Sequence, residues 1–202
     1  MRRLFLPLLV LLLAACGGGA KSISNVASYD LGAVQPAPNN RIVASLRSID
    51  VFAVSWLDSS AMQYRLLYAA NQRRQSYAES RWAGTPAELL GHALRKRMLS
   101  GTAGGACRLR VDLDEFAQVF DSAKDSRVLL EARVQLVAPT GGEILARRSF
   151  SLSRPAASPD ATGGAAALAE TTEALSTELH DWLGGLDRTS APGLNIAQRC
   201  KN

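Results

Sequence analysis

A cysteine, Cys16, stands directly behind Leu13-Ala14-Ala15, at the end of an apolar run over residues 4–13 that Arg2 and Arg3 introduce. A thiol in that setting can take a diacylglyceryl group before the leader is cut, and a further acyl chain on its freed amine afterwards. The basic start, an apolar stretch well short of the roughly 20 residues a membrane helix needs, and small residues at the cut describe a secretory leader, not a span. The pattern reads as a bacterial lipoprotein signal, with 1–15 removed and Cys16 tied to a membrane by lipid. At about 0.8 kcal/mol per buried CH₂, several chains on one cysteine hold far more firmly than one.

Two further cysteines remain, Cys107 and Cys200. In an oxidising compartment a pair of this kind is expected to form a disulfide, which would pin the C-terminal tail to the domain. The other reading is two free or buried thiols. With no histidine nearby the pair makes a poor zinc site, so no metal and no cofactor beyond the covalent lipid is expected.

Catalytic chemistry is hard to assemble from what is left. His92 and His180 are the two imidazoles, both on predicted helices, and neither a Gly-x-Ser-x-Gly elbow nor a His-Glu-x-x-His pair occurs. Asp112, Asp114 and Glu115 could suggest paired carboxylates, but they share a strand with Arg108 and Arg110, and solvated cross-strand ion pairs are the better reading. The glycine-rich stretch 101–105 lacks the Lys-Ser/Thr of a phosphate loop and follows a helix, which makes it a connector. Residues 72–82 offer more: Arg73, Arg74, Tyr77, Arg81 and Trp82 are the residue types that carry binding energy at protein interfaces. The bland alternative is that the rings are core and the arginines merely solvated.

Excluding the first 15 of the 202 residues leaves 187, enough for one domain with a sizeable core. Loss of Arg2 and Arg3 takes the formal charge from +5 to +3. The remaining basic residues are dispersed, so nucleic acid is not an expected partner. Residues 16–27 form the lipidated cysteine and a Gly-rich tether with a reach of roughly 15 to 20 Å. Residues 28–185 form the domain and 186–202 a tail.

Within the domain, a short strand is expected at 26–31, ended by the Pro/Asn cluster 36–40. Over 41–54 the apolar alternation runs Ile42, Ala44, Leu46, then Ile49, Val51, Ala53, and the slip near Arg47-Ser48 demands a bulge. A strand over 62–70 with Tyr64, Leu66 and Tyr68 on one face should pair with it or lie beside it. Thr85-Pro86-Ala87-Glu88 is a capping box that opens a helix over 86–99, with Leu90, Ala93, Leu94 and Met98 facing the core. Strands with Leu109, Val111, Leu113 and with Leu130, Ala132, Val134, Leu136 follow, and Pro139-Thr140-Gly141-Gly142 turns the chain into a third over 143–153. A long amphipathic helix carries Leu168, Thr172, Leu175, Leu179, Trp182 and Leu186, with Gly184-Gly185 expected to stop it near Leu183. The fold class is α/β: one domain, a mixed and largely antiparallel sheet of about five or six strands, and two main helices packed on it.

Tyr29-Asp30-Leu31, Trp56-Leu57-Asp58 with Tyr64-Arg65, and Tyr77 with Arg81-Trp82-Ala83 resemble the N-terminal half of the ABC-type transport auxiliary lipoproteins, a group that includes PqiC-like proteins. The landmarks continue in order through residues 113–122, Ser149-Phe150, 165–168 and Trp182-Leu183. The resemblance implies a non-catalytic periplasm-facing lipoprotein. It would serve an ABC permease and ATPase with an MCE-type substrate-binding protein, in transport of phospholipid or other hydrophobic cargo. Homo-oligomerisation stays open. Gly17 replaces the aspartate that retains lipoproteins at the inner membrane, so Cys16 is expected to anchor the chain in the outer membrane of a Gram-negative envelope. A structural envelope-assembly lipoprotein and an envelope hydrolase are the alternatives.

Overall fold

The computed structural model describes residues 26–34, 46–99, 105–189 and 195–201. The leader, Cys16, most of the tether, the 36–40 cluster and most of the 101–105 connector lie outside the described residues. Seven strands form one mixed sheet: β1 (Ala27–Tyr29), β2 (Leu46–Ala53), β3 (Ala61–Leu66), β4 (Ala70–Trp82), β5 (Cys107–Phe120), β6 (Ser126–Val137) and β7 (Ile144–Pro155). Among the described residues three helices accompany them: α1 (Pro86–Met98), α2 (Ala161–Thr189) and the single turn α3 (Ile196–Arg199). None of these is long and apolar enough to cross a membrane.

β5 is the axis of the sheet. On one edge it pairs antiparallel with β6 along its length, and β6 pairs likewise with β7 around a turn in which Gly141 and Gly142 take φ of +72° and +69°. Its other edge is shared: β2 runs parallel along 107–113 and β3 runs parallel along 118–120, so the two lie end to end. They do not pair with each other. Between them the chain makes a 3₁₀ turn at Ser55–Leu57. The slip in β2 falls between Leu46 and Ser48, where the alternation requires it.

β4 is the strand beyond the expected five or six. Residues 72–82 pair antiparallel with β3 and hold β1 on their far side. β3 consequently ends at Leu66, and Tyr68 sits exposed in the turn to β4, not on a strand face.

α1 and α2 cover one face only. The Thr85 side chain accepts from the Glu88 backbone while the Glu88 carboxylate accepts from the Thr85 N–H, which completes the capping box. Leu90, Ala93, Leu94 and Met98 are buried on α1, and Leu168, Leu175, Leu179 and Leu186 on α2. They meet Leu109, Val111, Leu113, Leu130, Val134 and Leu136, and each such side chain stabilises the fold by roughly 1.5–3 kcal/mol on full burial. α2 does not stop at Gly184-Gly185. Burial of Leu183 and Leu186 outweighs a helix penalty of about 1 kcal/mol per glycine. The tail is held too: Cys107 and Cys200 are disulfide-bonded with Cα atoms 4.9 Å apart, Ile196 is buried, and Gly105 bridges Lys201.

The start of α2 approaches β5 unusually closely. A Cβ on Gly164 would lie 2.2 Å from Gln118 Oε1. Gln118 cannot yield freely, because Oε1 accepts from the Tyr77 hydroxyl at 2.8 Å and Nε2 donates to Ser126 Oγ at 2.8 Å. Asp160 caps the same turn, accepting from the Gly163 N–H and the Ser158 hydroxyl, both at 2.8 Å. Those bonds, the backbone one first, hold its carboxyl below its ordinary pKa of 3.8.

Gly164→Ala should lower stability by about 1–3 kcal/mol. Gly184→Ala should instead raise it by about 0.5–1 kcal/mol, because open space surrounds a Cβ there and alanine is the better helix former. Chemical denaturation of the two variants checks the opposite signs. Because its folded pKa is depressed, Asp160 stabilises fully above pH 3.8, and the contribution fades as pH falls through the folded value. The stability gap between the protein and Asp160→Asn should therefore be widest near neutrality and close in acid, as read from denaturation curves across pH.

Candidate functional site

Among the described residues no helix lies on the face of the sheet opposite α1 and α2, and a bulge in β5 decides what that face displays. Leu113 pairs with Ala132 and Glu115 with Glu131, which leaves Asp114 as an extra residue. Before it, Leu109, Val111 and Leu113 point to the core; after it, Phe116, Gln118 and Phe120 do. The slip therefore places Glu115 beside Asp112 and Asp114 on the open face.

Each of the three carboxylates is committed to arginine. Arg110 grips Asp112 at 2.9 Å from within the same strand, and Arg133 grips Asp114 across strands through two bonds of 2.7 Å. Those hydrogen bonds hold both guanidinium groups above their ordinary pKa. Glu115 departs from the expected solvated pairing. Its side chain is 10% exposed, takes two bonds of 2.7 Å from Arg74, and has Arg65 at 3.5 Å. A carboxylate so enclosed is a brace for β3, β4 and β5, not a free acid or base.

Two of the largest exposed hydrophobic side chains stand on this scaffold. Phe52, at 50% exposure, lies under the Arg110 guanidinium, 4.6 Å from the ring centre. Trp56, at 52%, lies under Arg74 at 5.7 Å, and its carbonyl accepts from the Gln63 side chain. Each ring is thus oriented by a cation that a carboxylate in turn holds in place. Beside Phe52 a hollow of about 270 Å³ runs to Arg108, Gln135 and the half-exposed Ile144.

The residues expected at 73–82 do not form one surface. Arg73 and Arg81 are exposed, but Arg74 belongs to the Glu115 brace. Tyr77 lies on the other face with its hydroxyl on Gln118 and its ring 4.8 Å from Tyr64. Burial, then Asp160 and Tyr64, raise its pKa beyond the usual phenol range. Trp82 is 2% exposed and packs on Phe116. Period-two alternation separates Arg74 from Tyr77. The β2 slip already turned Phe52 outward with Ser48 and Asp50, and that was the signal for it in the sequence. Trp56 carried none beyond its place in a turn.

The histidines stand apart from this face. His92 is exposed on α1, and His180 contacts Asp181 on α2. Among the described residues no three His, Cys, Asp or Glu side chains gather as a metal group.

A protein of Xanthomonas campestris with a solved structure has the same fold at 19% identity, with a TM-score of 0.66 over 81% of this chain and 98% of that one. A second solved protein, uncharacterized, gives 15% identity and a TM-score of 0.59 over 78% of this chain and 97% of its own. No curated protein matches. The sequence profile of the ABC-type transport auxiliary lipoprotein component matches residues 29–180, from β1 to the third quarter of α2. The chain belongs to the family of ABC-type transport auxiliary lipoproteins.

Proposed function

We propose that this lipoprotein is a non-catalytic dock, fixed by acylated Cys16 to the outer membrane and facing the periplasm. It receives an MCE-type substrate-binding protein extended by an inner-membrane ABC permease and ATPase, for passage of phospholipid or another hydrophobic cargo. Family membership supplies the transporter association. The observation that carries the docking role is the pair of cation-capped rings, Phe52 under Arg110 and Trp56 under Arg74, on the uncovered sheet face.

The physics favours a protein partner there. Aromatic and arginine side chains dominate interface energies, and these are held in one orientation before any encounter. Little conformational entropy is then left to lose on binding. The ion pairs around them would form a polar rim that fixes register. Asp112, Asp114 and Glu115 are each held by an arginine, which suits them to fixing the rings in place and not to acid–base work.

Phe52→Ala and Trp56→Ala should each weaken partner recovery by about tenfold or more, equivalent to about 1.4 kcal/mol. Being half-exposed, both rings should cost less than about 0.5 kcal/mol of stability on truncation. Arg73→Ala and His92→Ala should bind as the parent does. Affinity measurement with the full lipidated chain checks this, and undiminished binding by both ring variants removes the proposed face. Cys16→Ser should move the protein out of the outer-membrane fraction and abolish palmitate incorporation, as read by fractionation and metabolic labelling.

A further inference from the structure

The hollow beside Phe52 lies at one end of the open sheet face, between β2, β5, β6 and the turn into β7. Phe52 and Ile144, both about half-exposed, line it together with Val137. Its polar wall is Arg108, Arg110, Gln135 and Asp50. Arg110 is held by Asp112 at 2.9 Å and has Asp50 opposite it on β2. Arg108 is exposed and has no such match. Its register neighbours are Ser48 and Val137, and among the described residues no carboxylate lies within ion-pair distance of it. Arg147, opposite Gln135 on β7, is exposed and equally unmatched among the described residues. Glu143, next to Ile144, is held by Arg199 of the disulfide-pinned tail and so does not serve either of them.

We propose that this hollow takes a glutamate or aspartate side chain of the docking protein, with an apolar residue of that protein beside it on Phe52 and Ile144. Arg108 and Arg147 stand on the strands either side of Gln135, about 10 Å apart across the sheet at 4.8 Å per strand, so that a carboxylate between them is within joint reach. A guanidinium offers that carboxylate a two-pronged donor, and the Gln135 amide, which has no side-chain partner among the described residues, adds another. The charges fit one such group. Arg108, Arg110 and Arg147 are set against Asp50 and Asp112, three positive to two negative, which leaves one positive charge over. The mixed lining of the hollow is what an acidic residue with an apolar neighbour requires.

Other occupants fit less well. A phosphate dianion would bring two negative charges beside Asp50 against one unmatched positive, and a purely apolar group would leave Arg108 without a counter-charge. A second copy docked hollow to hollow would set Arg108 and Arg147 against themselves, and like charges across an interface are repelled. The proposal rests on the docking reading for the identity of the partner, and on the hollow itself for the chemistry the partner must present. Arg108 and Arg147 are then specificity-determining residues of the docking face.

The full lipidated chain in phosphatidylcholine nanodiscs is irradiated with either of two capped tripeptides, photo-leucine–glutamate–leucine and its glutamine counterpart, then digested and mapped by mass spectrometry. The glutamate peptide should label residues 48–54 and 139–147 several-fold more than the glutamine peptide. That preference should vanish in Arg108→Gln, persist in part in Arg108→Lys, and vanish for the parent at about 1 M salt, where the screening length is about 3 Å. Equal labelling by the two peptides, labelling outside those segments, or an undiminished preference in Arg108→Gln that keeps the parent's thermal transition overturns the proposal. Affinity for the proposed MCE-type partner should also fall several-fold in Arg108→Gln, and parental affinity there alongside a weakened Phe52→Ala overturns it equally. The two readings fail separately: the peptide preference needs no transporter protein, whereas the docking role falls if Phe52→Ala and Trp56→Ala bind that protein as the parent does.

Discussion

A strand can offer alternate side chains to only one face, and β5 must serve both a core under two helices and a charged surface on the other side. The single extra residue at Asp114 lets it do so along fourteen residues. Without the slip, Phe116 and Gln118 would point to solvent and Glu115 into the core under α2. With it, Phe116 meets Trp82, Gln118 reaches Tyr77 and Ser126, and Glu115 joins Arg74 and Arg65. Both the packing of α2 and the make-up of the open face follow from that one displacement.

The two faces are stabilised by different physics. On the helix side, apolar burial dominates, sharpened by the close passage of Gly164 over Gln118. On the open side, ion pairs link neighbouring strands. Exposed pairs such as Arg110–Asp112 contribute little to stability and mainly fix geometry, whereas the enclosed Glu115 cluster would be costly to break. A rigid sheet carrying ordered rings is the arrangement a docking surface requires.

Much of this was legible in the sequence because apolar periodicity writes burial directly. The slip at Arg47-Ser48, the capping box at Thr85, the α1 stripe and the β5-β6-β7 meander can all be read from residue order. β4 was not legible, since neither of its faces is apolar: Arg74 is satisfied by Glu115 and Tyr77 by Gln118, each 41 residues away. Long-range polar partners leave no local pattern. Gly184-Gly185 misled for a related reason, because local propensity signals a stop while Leu186, one residue on, is held by the core. The expected binding surface was placed by residue type among arginines and rings, and alternation along β4, together with its register shift against β3 between Ser76 and Arg81, then divided that set between two faces. Phe52, outward by the phase of its own strand, needed only that phase to be followed through.

The account stands on the claim that the uncovered sheet face, and not the helical side, meets the transporter. Hydroxyl-radical footprinting of the lipidated protein, alone and with the proposed MCE-type partner, tests this most directly because side-chain oxidation reports ring exposure residue by residue. Oxidation of Phe52 and Trp56 should fall on complex formation while Trp182 and His92 on the helices stay unchanged. Protection confined to the helices, with both sheet-face rings oxidised as in the free protein, would contradict it.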